Sequence, residues 1–265
     1  MKKLINILLM KSKFINFLKR FKIIKPDFTF IDKFNSLEQL KEESKKYKKK
    51  IVHYTNEDFD TGKSIEIKTP LEVNIEDKKH ITQELFKIIN DNKFSILEIG
   101  GGANPIYSFL KKNPNSNINS YVLERKKFVE IIDRQVNQKF GDKLKYVSSI
   151  DNLRLANFDL LYFGSSLQYF HEFYDFIKLI FSNNIKYIAI TDTLFNSENY
   201  DYYIIQANIK DVLLPFKFFS EKKIINFFEF NDYECVYNKN RTHSYTHNSL
   251  KNSELLLKDF IFKKK

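Results

Sequence analysis

Of its 265 residues, none is tryptophan, one is cysteine, five are proline and six are glycine. The lone thiol, Cys235, excludes an intrachain disulfide and any cysteine-built zinc cluster, and it fits a reducing, cytoplasmic setting. No apolar stretch approaches the roughly 18 residues that a bilayer-spanning helix requires. Internal repeats and low-complexity linkers are missing as well. Excess positive charge is scarce over most of the chain. The net charge is +11, yet residues 1–50 hold fifteen Lys/Arg against five Asp/Glu, which leaves +1 for everything after them. A body so close to neutral argues against a broad nucleic-acid footprint across its face.

What is present suffices for one sizeable core. Hydrophobic residues make up 43% and aromatic residues 16%, all of them Phe and Tyr. The accompanying wealth of Asn, Lys and Ile reads as genomic base composition rather than as activity. Length and pattern predict one α/β domain over 76–265, preceded by a basic helical extension and lid over 1–75.

Three of the six glycines are consecutive, and the chain is organised around them in ILEIGGGANPIYS, residues 96–108. An apolar run carrying one acid, Glu98, breaks at Gly100, Gly101 and Gly102 and resumes with helical spacing at Ile106, Phe109 and Leu110. A strand that turns on glycines into a helix lets a ligand approach the backbone closely, although the same pattern also suits a plain βα connection. About twenty residues on, SYVLE reads as a second strand ending in Glu124, where a ribose-binding carboxylate belongs. Further units follow in alternation: a helix over 128–140, a strand LKYVS ending near Ser148 and Ser149, and a strand FDLLYFGSS ending at Ser165 and Ser166. A helix to Phe181, a strand KYIAIT ending at Asp192 and a helix over 221–230 come next. Tyr233–Asn238 and Leu255–Phe262 read as an antiparallel strand pair. Upstream, Ser36 is the expected N-cap of a helix to Lys50, Thr55–Val73 reads as a loop or lid, and His80 begins a helix and is expected at the surface. The alternation predicts a doubly wound, mostly parallel sheet with an antiparallel edge, and ligands bind at the carboxyl ends of such strands.

The E-x-G-x-G order, with Asn104 in the third glycine position, resembles motif I of class I S-adenosylmethionine-dependent methyltransferases. Together with VLE, GSSLQYF, TDTLF, YYIIQ at 202–206 and NDYECV, the stretch 28–238 resembles a methyltransferase family encoded among bacterial capsule and lipopolysaccharide biosynthesis genes. Family members carry an Arg after strand five; TDTLF has none. The resemblance implies a Rossmann-like fold, S-adenosylmethionine as cofactor, and a nucleotide-activated sugar or surface-glycan intermediate as acceptor. Cofactor contacts are expected from Glu98, Gly100, Gly101, Gly102, Asn104, Glu124, Ser148, Ser149, Ser165 and Ser166, and an acceptor pocket from Gln168, Tyr169 and Gln206.

Transfer of a methyl group from a sulfonium depends mainly on in-line positioning, with a base to take the proton of a sugar hydroxyl. His171 is the first candidate base and Asp192 the second, against the plainer readings of a capping residue and an N-cap. No metal is expected, because the end of strand four offers serines in place of carboxylate ligands. Two rivals are a nucleic-acid methyltransferase and a non-catalytic module that binds the cofactor or a partner. The Asn104-Pro105-Ile106-Tyr107 tetrad favours the first, but it follows strand one and not strand four. Residues 1–24 can form a basic helix with one apolar face, which either packs on the body or rests on an anionic membrane surface at the cytoplasmic side.

Overall fold

A computed structural model describes residues 29–47, 50–51, 69–74, 78–89, 94–112, 117–153, 157–180, 184–206, 212–241, 246–247 and 255–265. The helix expected over 1–24 and most of the loop expected over 55–73 lie outside them. The chain runs through β1 (Thr29–Phe34), α1 (Leu37–Glu43), β2 (Lys50–Ile51), α2 (Lys79–Ile88), β3 (Phe94–Ile99), α3 (Ile106–Leu110), β4 (Ile118–Leu123), α4 (Lys126–Phe140) and β5 (Leu144–Val147). It continues through β6 (Leu160–Gly164), α5 (Phe173–Ile180), β7 (Tyr187–Asn196), β8 (Tyr202–Gln206), β9 (Val212–Ser220), α6 (Glu221–Phe230), β10 (Tyr233–Asn240), β11 (Thr246–His247) and β12 (Leu255–Lys264).

Strands β5, β4, β3, β6 and β7 lie side by side and parallel, in that order. Strand β12 pairs antiparallel with β7, and β10 pairs antiparallel with β12. This is the Rossmann-like sheet of class I methyltransferases, the fold class expected from the alternation of elements. Its strands are nearly continuous apolar runs because both faces are covered. Alternate residues go to opposite sides: Ile96, Leu160 and Tyr162 pack with α2, α3 and α4, while Leu97, Leu161 and Phe163 pack with α5 and α6.

Three elements depart from the expectations. Strand β7 does not stop at Thr191; it continues to Asn196, where Phe195 and Asn196 pair with Phe219 and Ser220 of β9. Strands β8 and β9 pair antiparallel and β1 pairs antiparallel with β8, so part of the stretch read as an extension joins the same sheet by way of β9. Alternating apolar and polar residues were too few in LLPFKFFS to announce a strand. The helix expected over 36–50 ends at Glu43, although Ser36 does cap it by accepting from Gln39 N at 3.1 Å. Beyond it, lysines dominate and, among the described residues, one short turn follows, over Ser44–Lys46.

Candidate functional site

Parallel strands leave their carboxyl ends to carry loops, and here four successive ends enclose a cavity of about 400 Å³, within the usual range for small-molecule sites. The end of β3 gives Ile99 and Gly100, and the end of β4 gives Leu123, Glu124 and Arg125. Residues after β5 give Ser148, Ser149 and Ile150, while those after β6 give Ser166, Tyr169 and Phe170; Phe176 of α5 completes the wall.

The glycine turn is held in shape from several sides. Gly100 has φ +70°, and a Cβ there would meet Ser166 Cβ at 2.8 Å. A Cβ on Gly101 would lie 2.7 Å from Glu98 Cδ and 2.9 Å from Val122 Cγ1. Only glycine fits between these neighbours. Gly102 donates its N–H to Glu124 Oε1 at 3.0 Å, and its carbonyl accepts from Tyr146 Oη at 2.7 Å. Ser166 Oγ donates to Ile99 O at 2.5 Å and ties the loop after β6 to the end of β3.

Two acids support this turn. Glu98 is buried and accepts from Ile106 N at 2.8 Å, which satisfies the first turn of the short α3. Burial pushes its carboxyl up to about 8, against the opposing pull of the Ile106 N–H and of Lys78. Glu124 faces the cavity. Burial raises its pKa too, while the N–H groups of Arg125 and Gly102 and the charge of Arg125 work the other way.

A second polar cluster sits at the same sheet edge, over β7 and β12. The register between these strands shifts between Lys258 and Phe260, and Asp192 takes φ +49° there. Asp259, fully buried, accepts the Asp192 N–H at 2.7 Å. Around the two carboxylates stand Lys78 Nζ, 2.8 Å from Asp192 Oδ2, and Arg241, 3.6 Å from Asp192 and 3.8 Å from Asp259. His80 Nε2 lies 3.2 Å from Asp259 Oδ2. Burial alone would raise the Asp192 pKa, but Lys78, Arg241 and His80 overcome it and hold it below the ordinary carboxylate value. Lys78 is held above the lysine range by Tyr162, Asp192 and Glu98, in spite of its burial. His80, Asp192 and Asp259 bring ligand-type atoms within 4.8 Å of one another. Lys78 and Arg241 already balance both carboxylates, so a divalent ion there would leave excess positive charge in a partly buried site.

Of the residues expected to contact the cofactor, Gly100, Glu124, Ser148, Ser149 and Ser166 line the cavity. Glu98, Gly101 and Gly102 shape the turn from behind it, and Asn104 is exposed. Ser165, at φ +58°, donates through Oγ to Asp192 O at 3.3 Å and so bridges towards the second cluster. Tyr169 reaches the cavity and donates to Gln206 Oε1 at 2.7 Å. Gln168 is buried, and its Nε2 donates to Ser165 O at 2.6 Å. His171 does not line the cavity. Its ring rests against Tyr203 at 5.5 Å and its carbonyl accepts from Lys217 Nζ at 3.0 Å. The expected surface position of His80 is corrected, because its side chain is only 11% exposed and faces Asp259. Asp192 lies within β7 and not at its end. Sequence reasoning passed over Arg125, Phe170, Phe176, Lys78, Arg241 and Asp259. Of these only Asp259 carried a signal, as a charge inside the apolar run LLLKDFIF.

No protein-family model matches the chain, and no curated protein matches it. Among solved structures it is similar to magnesium protoporphyrin IX methyltransferase from Synechocystis PCC 6803 with bound SAM, at 10% identity and a TM-score of 0.48, covering 72% of this chain and 79% of that one. It is also similar to the 1,6-didemethyltoxoflavin N1-methyltransferase of Burkholderia thailandensis with bound S-adenosylhomocysteine, at 12% identity and a TM-score of 0.48, covering 72% and 78%. A third is a SAM-dependent methyltransferase from Methanosarcina mazei, at 15% identity and a TM-score of 0.47, covering 68% and 96%. At such values the fold assignment rests on this chain's own strand order, with β5, β4, β3, β6 and β7 parallel and β12 and β10 antiparallel beyond β7.

Proposed function

We propose that the chain is an S-adenosylmethionine-dependent methyltransferase whose acceptor is a sugar hydroxyl, or a group linked to it, on a nucleotide-activated sugar or surface glycan. One observation supports the cofactor above all others: a cavity at four successive parallel strand ends combines a glycine turn with a buried acid at the end of the second of them. The group fits what is there. Gly100 and Gly101 leave no room for a side chain, the Ile99, Leu123, Ile150, Phe170 and Phe176 walls suit an adenine ring, and Glu124 stands where ribose hydroxyls would donate. When bound, the cofactor supplies an electrophilic methyl group on a sulfonium.

The chain's own work is to bind, orient and exclude water. Ser166 lines the cavity at the end of β6, Gln168 braces the Ser165 carbonyl behind it, and Tyr169 reaches the cavity while its hydroxyl is held by Gln206. Support for a sugar-linked acceptor comes from the sequence resemblance and from the near-neutral charge after residue 50. As proton acceptor we assign first His171, whose ring rests against Tyr203, and second Asp192, which pairs with Lys78; loss of methyl transfer with retained cofactor binding in His171→Ala or Asp192→Asn tests each.

Calorimetric titration with S-adenosylmethionine tests the cofactor. Glu124→Ala should weaken binding by about 1.5–3 kcal/mol, the worth of hydrogen bonds to a charged group. Unchanged affinity in a folded variant rules the site out. With methyl-labelled cofactor, label should enter the sugar-nucleotide or glycan fraction, and label in RNA or DNA instead would reverse the acceptor assignment.

A further inference from the structure

We propose that Lys78 and Arg241 form a docking point for an oxyanion, a carboxylate or a phosphate, carried by the methyl acceptor. The inference rests on the cofactor reading above and narrows the acceptor from a sugar-linked group to an anionic one.

The two cations adjoin the cavity on the side away from Glu124. The cavity walls come from the ends of β5, β4, β3 and β6, and the next parallel strand in that order is β7. Ser166 lines the cavity, while Ser165 beside it is exposed and turns to β7. Its N–H donates to Thr191 O at 2.9 Å and its Oγ to Asp192 O at 3.3 Å. Ser165 and Asp192 both hold a left-handed backbone, φ +58° and +49°, an uncommon state for residues other than glycine that clusters at functional sites. Lys78 bonds Asp192 and also faces Glu98, which lies under Gly101. One step from the cavity, the end of β7 is thus open ground where an acceptor can meet the cofactor.

Donors outnumber acceptors in this cluster. An ammonium carries three N–H groups and a guanidinium five. Lys78 gives one to Asp192 Oδ2 at 2.8 Å. Arg241 stands 3.6 Å from Asp192 and 3.8 Å from Asp259, near enough for ion pairing but beyond hydrogen-bond reach. Among the described residues, no hydrogen bond takes any other side-chain donor of these two. Asp259 is already engaged, with Oδ1 on the Asp192 N–H and Oδ2 facing His80 at 3.2 Å. Both cationic side chains are about four-fifths buried, where an unmade hydrogen bond destabilises. Two carboxylates therefore hold the guanidinium in place without filling its fork, which suits a bidentate oxyanion. Charge agrees with that choice. Asp259 is fully buried, so the layer a ligand meets sets Lys78 and Arg241 against Asp192 alone.

The experiment follows the Arg241 Nε–H resonance of the full chain by NMR during titration with inorganic phosphate, glucuronate or glucose at constant ionic strength. Loss of the resonance in Arg241→Lys identifies it. Phosphate or glucuronate should shift it saturably, at least about tenfold more tightly than glucose. No saturable shift with either anion, or an equal one with glucose, overturns the proposal. Calorimetry with S-adenosylmethionine should give Arg241→Gln the wild-type affinity within about twofold, and a loss of about tenfold would hand the guanidinium to the cofactor and overturn the acceptor role. Methyl label separates the two sources of charge. Product held by an anion exchanger both before and after mild acid removal of the nucleotide assigns a carboxylate, and product held only before assigns a phosphate. Labelled product that is neutral from the start overturns the proposal and leaves the cofactor site standing. Wild type that takes up an anion but no S-adenosylmethionine overturns the cofactor reading and the acceptor role with it.

Discussion

The carboxyl edge of the sheet holds two pairs of acids, one wholly and one partly buried, and they are treated in opposite ways. Over β7 and β12, Asp192 and Asp259 are met by Lys78, Arg241 and His80, and Asp259 also takes a backbone N–H. Over β3 and β4, Glu98 and Glu124 are met mainly by backbone N–H groups. The consequence shows in the ionisation of the two regions, with Asp192 held below its ordinary value and Glu98 pushed up to about 8. Cations that belong to the fold lock one pair in place. The other pair leans on backbone N–H groups, with Lys78 and Arg125 as its only weaker cationic support among the described residues.

Removing one member of the matched pair should do the most damage. Asp259→Ala strips the Asp192 N–H of its acceptor and leaves Arg241 and His80 facing a lost charge inside the protein. Urea denaturation should show a loss of about 3–5 kcal/mol. If the loss is under about 1 kcal/mol, the matched cluster contributes no more than a surface ion pair and the contrast collapses.

The unmatched pair should respond in the other direction. A carboxyl whose folded-state pKa is raised contributes stability below its unfolded value and loses it as pH rises through the folded one. For Glu98 that window runs from the ordinary glutamate value of 4.5 to about 8. Glu98→Gln has nothing to lose there, so its stability relative to wild type should climb across the window by on the order of a few kcal/mol. Denaturation midpoints followed against pH decide the matter, and two parallel curves would contradict the contrast. Tyr162 sharpens it at the smallest scale, because its buried hydroxyl shares a hydrogen bond with Thr191 Oγ1 at 2.8 Å between the two regions. Tyr162→Phe should cost about 1 kcal/mol in the same assay, with little dependence on pH.

These two regions were unequally legible from the residues alone. The glycine turn and Glu124 belong to one local unit, strand, turn, helix and strand, whose spacing is set by backbone geometry and survives in a linear reading. The α6 helix, from Ser220 as N-cap to Phe230, was equally plain for the same reason. The matched cluster draws Lys78, His80, Asp192, Arg241 and Asp259 from separate segments, and each by itself resembles an ordinary surface charge. Its position depends on a register shift between β7 and β12, which no periodicity discloses before the partner strand is known. The continuation of β7 past Asp192 was hidden likewise, since Asp is depleted in strands and reads as the end of one.

Strand β12 is the last to appear along the chain, yet its place is between β7 and β10, which both precede it. During synthesis, residues 187–196 therefore emerge with one hydrogen-bonding edge and the slots for Phe260 and Phe262 still open. At the pace of translation that opening lasts for seconds. An uncovered edge next to large aromatic side chains invites strands from other chains. The Asp192 N–H also waits for its acceptor until Asp259 arrives.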